Sequence, residues 1–124
     1  MDAAALNAVA DRLFDAFVAH DYDAVIEMMA PDAVVVQNGN SMVLDEALAM
    51  IRSVVEIIGQ HRYEEVRRVV GDNAIVEEHR VRSTTPGGVE LDLSACVVVR
   101  LDNDGKIVSL DEYVDTAPLA AALG

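Results

Sequence analysis

Apolar residues recur at helical spacing in three stretches of the first half of the chain. The first stretch, residues 3–19, repeats them every three or four positions and follows Asp2, a suitable helix cap. A shorter helix is predicted after Asp21 and ends before Pro31. A third is predicted from about residue 44 to 58, with two acidic residues in its first turn. The pattern therefore predicts three N-terminal helices.

The pattern changes to strand-like alternation after Gly59. Four segments separated by the turns GDN, TPGG and DNDG are predicted strands, at residues 62–70, 74–83, 89–101 and 106–115. An earlier segment, AVVVQN at 33–38, is too short for a helix and stops at the turn signal NGNS, and a short helix, APLAAAL, closes the chain. We expect one α+β domain over residues 1–124, with helices packed on one face of a curved sheet.

Successive side chains of a strand point to opposite faces, so the alternation also predicts which residues face the core. The segment 89–101 carries apolar residues at every odd position. The segment 106–115 has one face that is apolar except for Glu112. Core-facing side chains of these two strands are expected to include Leu93, Ala95, Val97 and Leu110. Glu112 is therefore predicted to be a carboxylate among apolar neighbours.

The remaining strands supply possible partners for this carboxylate. By the same alternation, Val36 and Asn38 are predicted to face inward from one strand, and Arg80 and Arg82 from another. A lone buried carboxylate is costly and tends to bind a proton, whereas a neighbouring guanidinium keeps it charged. We therefore expect Glu112 to lie beside Arg80 or Arg82.

The composition limits the classes of partner. Acidic residues outnumber basic ones 22 to 9, which gives a formal net charge of −13 and disfavours nucleic acid and anionic membrane surfaces. No apolar run approaches the roughly 20 residues of a membrane span. The single cysteine, Cys96, cannot form an internal disulfide, and the N-terminus has helical rather than signal-peptide patterning. A cytoplasmic location is expected.

Neither a metal nor a cofactor is expected. His20, His61 and His79 lie on separate predicted elements without ligand spacing. His79 falls on the opposite strand face from Arg80 and is expected to be exposed or at an interface. Tyr63 is expected to be a packing residue. The chain has no Gly-rich phosphate loop, nucleophile elbow or paired-cysteine motif.

The order of elements and two motifs carry a family resemblance. The segments LFDAFVAHDYDAVIEMMAPDAVV and VVVRLDNDGKIVSLDEYVD, with the helix between them, resemble the nuclear-transport-factor-2-like superfamily. Within it the chain is similar to the SnoaL-like group of polyketide cyclases, ketosteroid isomerases and limonene-epoxide hydrolases. The resemblance implies a cone of three helices and a strongly curved mixed, mostly antiparallel sheet that encloses an apolar pocket.

The resemblance to ketosteroid isomerases does not extend to their chemistry. Those enzymes use a carboxylate base and an oxyanion site made of a tyrosine and a protonated aspartate. Along this sequence the tyrosine falls on Leu13, the base on Gln37 and the aspartate on Val97. None of these residues can perform the corresponding step, so steroid-type isomerisation by that mechanism is not expected.

The epoxide-hydrolase pattern is retained in part. Its tyrosine falls on Val36, its asparagine on Asn38, its water-activating acid on Glu112, its arginine on Arg80 and its proton donor on Arg82. The phenol is lost, and an arginine cannot protonate a leaving oxygen at neutral pH. An arginine can, however, stabilise a developing negative charge on oxygen.

Two function classes remain open. The first is a cofactor-independent cyclase, isomerase or hydrolase that acts on an apolar ligand bearing a carbonyl or epoxide, with Glu112 as base and Arg80 and Asn38 beside it. Ligand contacts would then come from Arg82, Val36, Leu93, Ala95, Val97 and Leu110. The second is a non-catalytic member that binds an apolar ligand or a protein. In that case Glu112 and Arg80 would be a structural ion pair.

The outer face of the third long strand predicts self-association. It carries Ser94, Cys96 and Val98 in its middle and charged residues at its ends. An apolar patch rimmed by charge is typical of an interface, and the resembled superfamily commonly dimerises through its sheets. A homodimer that buries this face is expected.

Overall fold

The computed structural model describes residues 1–123, which form helices and one mixed sheet. The helices are α1 (Ala3–Ala19), α2 (Tyr22–Met28), α3 (Leu44–Ile58) and α4 (Ala117–Leu123). The strands are β1 (Met29–Gln37), β2 (Asn40–Val43), β3 (His61–Gly71), β4 (Ala74–Thr84), β5 (Glu90–Leu101) and β6 (Ile107–Val114). The predicted α+β class and its three N-terminal helices are confirmed.

Helix ends follow the local sequence. Asp2 accepts a hydrogen bond from the Ala5 N–H at 2.8 Å, and Asp21 caps α2 in the same way. His20 ends α1 in the left-handed region with φ of 56°. Gly59 ends α3 with φ of 81°, a conformation that glycine adopts without a Cβ penalty.

The six strands are ordered β2-β1-β6-β5-β4-β3 across the sheet. β1 and β6 are parallel and the other neighbouring pairs are antiparallel, so the sheet is mixed but mostly antiparallel, as expected. β2 was not predicted, because its four residues are largely exposed and show no apolar alternation. β1 begins at Met29, so Pro31 lies inside this strand rather than in the loop before it.

The core lies between the helices and the inner face of the sheet. Leu6, Leu13 and Val25 from the helices are fully buried against Ile75 and Ile107 from the strands. Aliphatic residues dominate this cluster, in keeping with the low aromatic content. Burying such side chains is the main favourable term in folding, at about 25 cal/mol per Å² of apolar surface.

Inward-facing positions were predicted correctly for β5 and for Leu110 and Glu112 of β6, but not for the start of β6, where Ile107 is fully buried, nor for β1 and β4. In β4 the buried residues include Ile75, Glu77 and His79, so Arg80 and Arg82 point to the outer face. β1 buries Ala33 and Val35 in the same way and turns Val36 outward. A shift of one residue exchanges the two faces of a strand, and both segments carry apolar residues on both faces.

A β-bulge in β3 changes which of its residues face inward. Glu65 and Val66 together lie opposite the single β4 residue His79, and Glu65 has φ of 53°. Before the bulge Tyr63 faces inward, and after it Arg68 does. Without the extra residue these two side chains, five positions apart, would point to opposite faces.

Candidate active site

An apolar cavity of about 240 Å³ lies between α1, α3 and the inner face of the sheet. Its wall is mostly aliphatic and aromatic and includes Phe14, Phe17, Ile51, Val55, Leu93 and Leu110. Five polar residues among those described also line it: Gln37, His61, Tyr63, Glu112 and Thr116. A concave apolar site with a few polar groups is the usual form of a small-molecule site.

Glu112 lies on the cavity wall, as the alternation of β6 predicted. It pairs with Gln37 on the parallel strand β1 and with Val97 on the antiparallel strand β5. The Gln37 amide donates a hydrogen bond to Glu112 Oε1 at 2.9 Å. The carboxylate is thereby oriented by a neutral donor, and within residues 1–123 no cationic side chain forms an ion pair with it.

The predicted pair of Glu112 and Arg80 is not formed. Arg80 lies on the outer face, where its Nε donates to Asp92 Oδ1 at 2.7 Å. Arg82 also lies there and donates to Glu64 at 2.8 Å and to Glu65 at 2.7 Å. Hydrogen bonding from Arg80 lowers the pKa of the Asp92 carboxyl. The expectation that these arginines face the pocket is therefore wrong, because the face of β4 that points inward is the one opposite to the predicted face.

Asn38 and Val36 also lie outside the cavity wall. The side chain of Asn38 is exposed, its amide donates to the Val114 carbonyl at 3.0 Å, and its Oδ1 accepts from the Val114 N–H at 2.9 Å. These two bonds join the end of β1 to the end of β6. Asn38 therefore has the structural role of closing the turn region. Val36 points to the outer face of the sheet, where it pairs with Asp111.

The apolar residues predicted for the pocket are placed largely as expected. Leu93, Val97 and Leu110 line the cavity. Ala95 is buried on the same sheet face but is not part of the cavity wall. Contact between any of them and a ligand stays a prediction.

Sequence reasoning missed two polar residues of the cavity, His61 and Tyr63 on β3. Burial, with the neighbouring His20 and His79, lowers the pKa of His61 to about 4, so its ring is neutral at pH 7. Burial, with the charges of Glu112 and Glu77, raises the pKa of the Tyr63 phenol far above its ordinary value. Both rings are therefore uncharged hydrogen-bonding groups. The alternation of the segment HRY predicts that both residues share one face of the strand. It does not predict that this face lines a cavity.

A charged cluster lies behind this part of the wall. Glu77 is 1% exposed, and its Oε1 accepts from Arg68 Nε at 2.9 Å while its Oε2 lies 2.7 Å from His79 Nδ1. Arg68 also donates to Asp11 at 2.9 Å. The expectation that His79 is exposed is wrong: it is 4% exposed, because it shares the buried face of β4 with Glu77.

The described residues contain no group of three His, Cys, Asp or Glu side chains placed to hold a metal ion. Within residues 1–123, every helix is too short or too polar to cross a membrane.

A family model for the SnoaL-like domain matches residues 10–110. The chain belongs to the SnoaL-like family. The match includes Gln37, His61, Tyr63 and Leu110 and ends two residues before Glu112. No curated protein matches the sequence significantly.

Solved structures share the fold of this SnoaL-like chain. AclR from Streptomyces galilaeus, proposed to be a hydroxylase, has a TM-score of 0.89 at 17% identity over 99% of this chain and 83% of its own. A proposed SnoaL-like polyketide cyclase from Shewanella denitrificans gives 0.82 at 12% identity, covering 95% and 96%. An NTF2-like protein of unknown function from Burkholderia pseudomallei gives 0.83 at 24% identity, covering 98% and 97%. At these identities the likeness establishes the fold alone.

Of the three positions that the resemblance matched to ketosteroid isomerase residues, two lie on the cavity wall of this SnoaL-like chain. Gln37 and Val97 line the cavity, whereas Leu13 is fully buried in the core.

Proposed function

We propose that the protein is a cofactor-independent enzyme that transfers protons on an apolar, carbonyl-bearing small molecule, with Glu112 as base. The observation that carries this proposal is the carboxylate of Glu112 on the wall of an apolar cavity, oriented by the Gln37 amide at 2.9 Å. A carboxylate held in position on the wall of an apolar cavity is suited to general base catalysis. The proposal is consistent with the SnoaL-like family assignment.

In the proposed step Glu112 removes a proton from the carbon next to the carbonyl. The electron pair of the broken C–H bond forms a C=C bond, and the carbonyl π pair moves to oxygen. Glu112 then returns the proton to a different carbon of the conjugated system or to the opposite face of the same carbon, which gives isomerisation. Alternatively, the enolate carbon attacks a second carbonyl of the same ligand and the alkoxide that forms takes the proton from Glu112, which gives cyclisation. Epoxide hydrolysis is supported less well, because Arg80, Arg82 and Asn38 lie outside the cavity wall.

Hydrogen–deuterium exchange tests the base without knowledge of the natural substrate. 2-Acetylnaphthalene is a flat apolar ketone with exchangeable protons next to its carbonyl, and NMR in D₂O measures their loss. We expect the protein to accelerate this exchange. The acceleration by Glu112→Gln should be at least about tenfold smaller than that by wild type. Asp111→Asn is the matched control, because Asp111 adjoins Glu112 in β6 but pairs with Arg100 at 3.2 Å outside the cavity. Equal exchange with wild type and Glu112→Gln would contradict the proposal.

A non-catalytic ligand-binding role is the second candidate. The mostly apolar lining favours it, because such a wall binds by burial without any chemistry. Saturable binding of the ketone with no exchange above the buffer rate would support this alternative over the enzyme.

We also propose that the protein forms a homodimer through the outer face of the sheet. Register places apolar side chains in one row across that face: Val69, Val76, Val98 and Val36, interrupted by Asp111. Val69 is 73% exposed and Tyr113, near the row on β6, is 57% exposed. Exposed apolar side chains grouped on one sheet face are typical of an interface.

A further inference from the structure

The row of inward side chains that contains Glu112 continues across four more strands. Register places Gln37, Glu112, Val97, Glu77 and Arg68 side by side on β1, β6, β5, β4 and β3. Two carboxylates thus lie two strands apart, about 10 Å, on either side of Val97. Only the β-bulge at Glu65 brings Arg68 into this row while Tyr63 stays on the same face.

Stability alone does not account for the cluster of Arg68, Glu77 and His79. Taking charged groups out of water is expensive, and apolar residues of similar volume often replace a buried ion pair without loss of stability. The cluster does fix one ring firmly. Glu77 is anchored by Arg68 at 2.9 Å and lies 2.7 Å from His79 Nδ1, so the imidazole cannot turn without losing that contact.

The fixed ring of His79 supports the cavity wall from behind. Its centroid lies 4.3 Å from that of Tyr63 and 5.3 Å from that of Phe14. Phe14 and Tyr63 contact each other edge-on at 5.5 Å, and both line the cavity. The three rings therefore form one packed unit, with Tyr63 on the cavity side and the anchored His79 behind it.

The geometry points to Tyr63 as the hydrogen-bond donor to the carbonyl oxygen of the cavity ligand, with Arg68, Glu77 and His79 as the residues that position it. This inference rests on the proposed function and adds the group that binds the ligand oxygen. Tyr63 lines the cavity from β3, whereas Glu112 lines it from β6. The ligand class is an apolar molecule whose acceptor oxygen and acidic C–H bond reach these two residues.

The state of the phenol agrees with this role. Because burial and the charges of Glu112 and Glu77 raise the pKa of Tyr63, its O–H is retained at neutral pH and can donate. When Glu112 takes the proton from carbon, the negative charge that develops on oxygen strengthens the bond from Tyr63. No proton needs to leave the phenol in this step.

Two probes of nearly equal shape separate hydrogen bonding from apolar burial. 2-Acetylnaphthalene has a carbonyl oxygen where 2-isopropenylnaphthalene has a CH₂ group, and NMR titration gives the affinity of each. We expect Tyr63→Phe to weaken ketone binding by about five- to tenfold, the size of one neutral hydrogen bond, and to leave alkene binding unchanged. Tyr22→Phe is the control, because Tyr22 stacks on His20 and is not part of the cavity wall.

The positioning residues are tested by the ratio of the two affinities. Glu77→Gln should weaken ketone binding by a smaller factor than Tyr63→Phe and leave alkene binding unchanged. If Glu77→Gln does not fold, Arg68→Lys keeps a cation beside Glu77 but loses the planar fork, and it should shift the ratio in the same direction. Equal loss of both probes, or no loss of either in a folded variant, would overturn the positioning role.

The outcomes for this inference and for the proposed function are distinguishable. Deuterium exchange that depends on Glu112, with Tyr63→Phe binding both probes as wild type does, would overturn the inference alone. A ketone preference that depends on Tyr63, without exchange, would remove the enzymatic role and leave Tyr63 as the oxygen-binding residue. Failure of wild type to bind either probe would overturn both.

Discussion

Two carboxylates on the inner face of the sheet have different partners and therefore different expected roles. Glu77 accepts from a guanidinium and contacts an imidazole, so its charge is balanced inside the protein. Glu112 accepts from an amide and faces the cavity, so it can meet a ligand. The partner of each carboxylate, rather than its burial alone, separates a positioning group from a candidate base.

Removing these two carboxylates should have unequal effects on stability. Glu77→Leu removes the buried partner of Arg68, which keeps only its bonds to Asp11 and Asn7, and should cost up to about 3–5 kcal/mol of unfolding free energy. Glu112→Leu leaves only the neutral Gln37 amide without its hydrogen-bond acceptor and should cost about 1–2 kcal/mol at most. Denaturant melts measure both. Equal effects would show that the two sites do not differ as described.

Arg80 provides a check on the corrected register. Its partner Asp92 is on the outer face, so Arg80→Met should change stability by less than about 1 kcal/mol, as for other exposed ion pairs. In the double variant with Glu112→Leu the two changes should add. A coupling well above about 0.5 kcal/mol would mean that Arg80 and Glu112 interact after all.

His61 should make stability depend on pH. Its pKa is lowered from 6.5 to about 4 in the folded protein, so between these values the unfolded chain binds more protons. Above about pH 7 the residue is neutral in both states and does not lower the free energy of unfolding. As the pH falls toward 4, that free energy should decrease by about 3 kcal/mol because of His61. In His61→Gln that part of the decline should be absent. Melts at pH 7, 5.5 and 4.5 that give parallel curves for both proteins would contradict the assignment.

At the scale of elements, the sequence predicted the strands whose faces differ clearly. β5 alternates apolar and polar residues along its length, so Leu93 and Val97 could be placed correctly. β1 offers three consecutive valines, and alternation cannot tell which of them is buried. β4 buries Glu77 and His79 as a pair, and a pattern based on hydrophobicity assigns such residues to the surface.

The bulge in β3 could not be predicted from the sequence pattern, for a related reason. Bulges are commonly marked by glycine at the positive φ position, whereas here Glu65 adopts it. A strand without the bulge could not place Tyr63 and Arg68 on one face. The contacts that bring the cluster together therefore depend on tertiary packing and not on local propensity.

Gly59, between α3 and β3, has a matched control in Gly71. A Cβ at Gly59 would lie 2.5 Å from the Thr84 carbonyl oxygen, and φ there is 81°. Gly59→Ala should therefore destabilise the protein by at least about 2 kcal/mol. At Gly71 a Cβ has no neighbour within 4 Å, so Gly71→Ala should change stability by less than about 1 kcal/mol. Similar thermal melts for both variants would contradict this account of the connection.

At the scale of the whole molecule, the fold followed from the order of elements and the family motifs, while most of the site did not. Glu112 was identified because its strand has a clear inner face. Gln37, His61 and Tyr63 come from other strands, and their convergence requires the curvature and register of the complete sheet. The spacing of residues along the chain does not show which of them the folded sheet brings together.

Assembly is the property of the whole molecule that is most easily measured. We expect sedimentation to give a dimer at micromolar concentration and Val98→Asp, in the middle of the outer row, to give a monomer. Ile57→Asp is the control, because Ile57 is 44% exposed on α3, which is not part of the sheet. Added salt should favour the dimer, since each chain carries a net charge of −13. A monomeric wild type would contradict the proposed interface.

A crystal structure with 2-acetylnaphthalene bound would locate a ketone ligand relative to Glu112 and Tyr63. We predict the ketone inside the cavity, with the carbon next to its carbonyl beside the Glu112 carboxylate and its oxygen within hydrogen-bond distance of the Tyr63 hydroxyl. A ketone bound elsewhere on the protein, or bound in the cavity with its carbonyl and adjacent carbon remote from Glu112, would contradict the account.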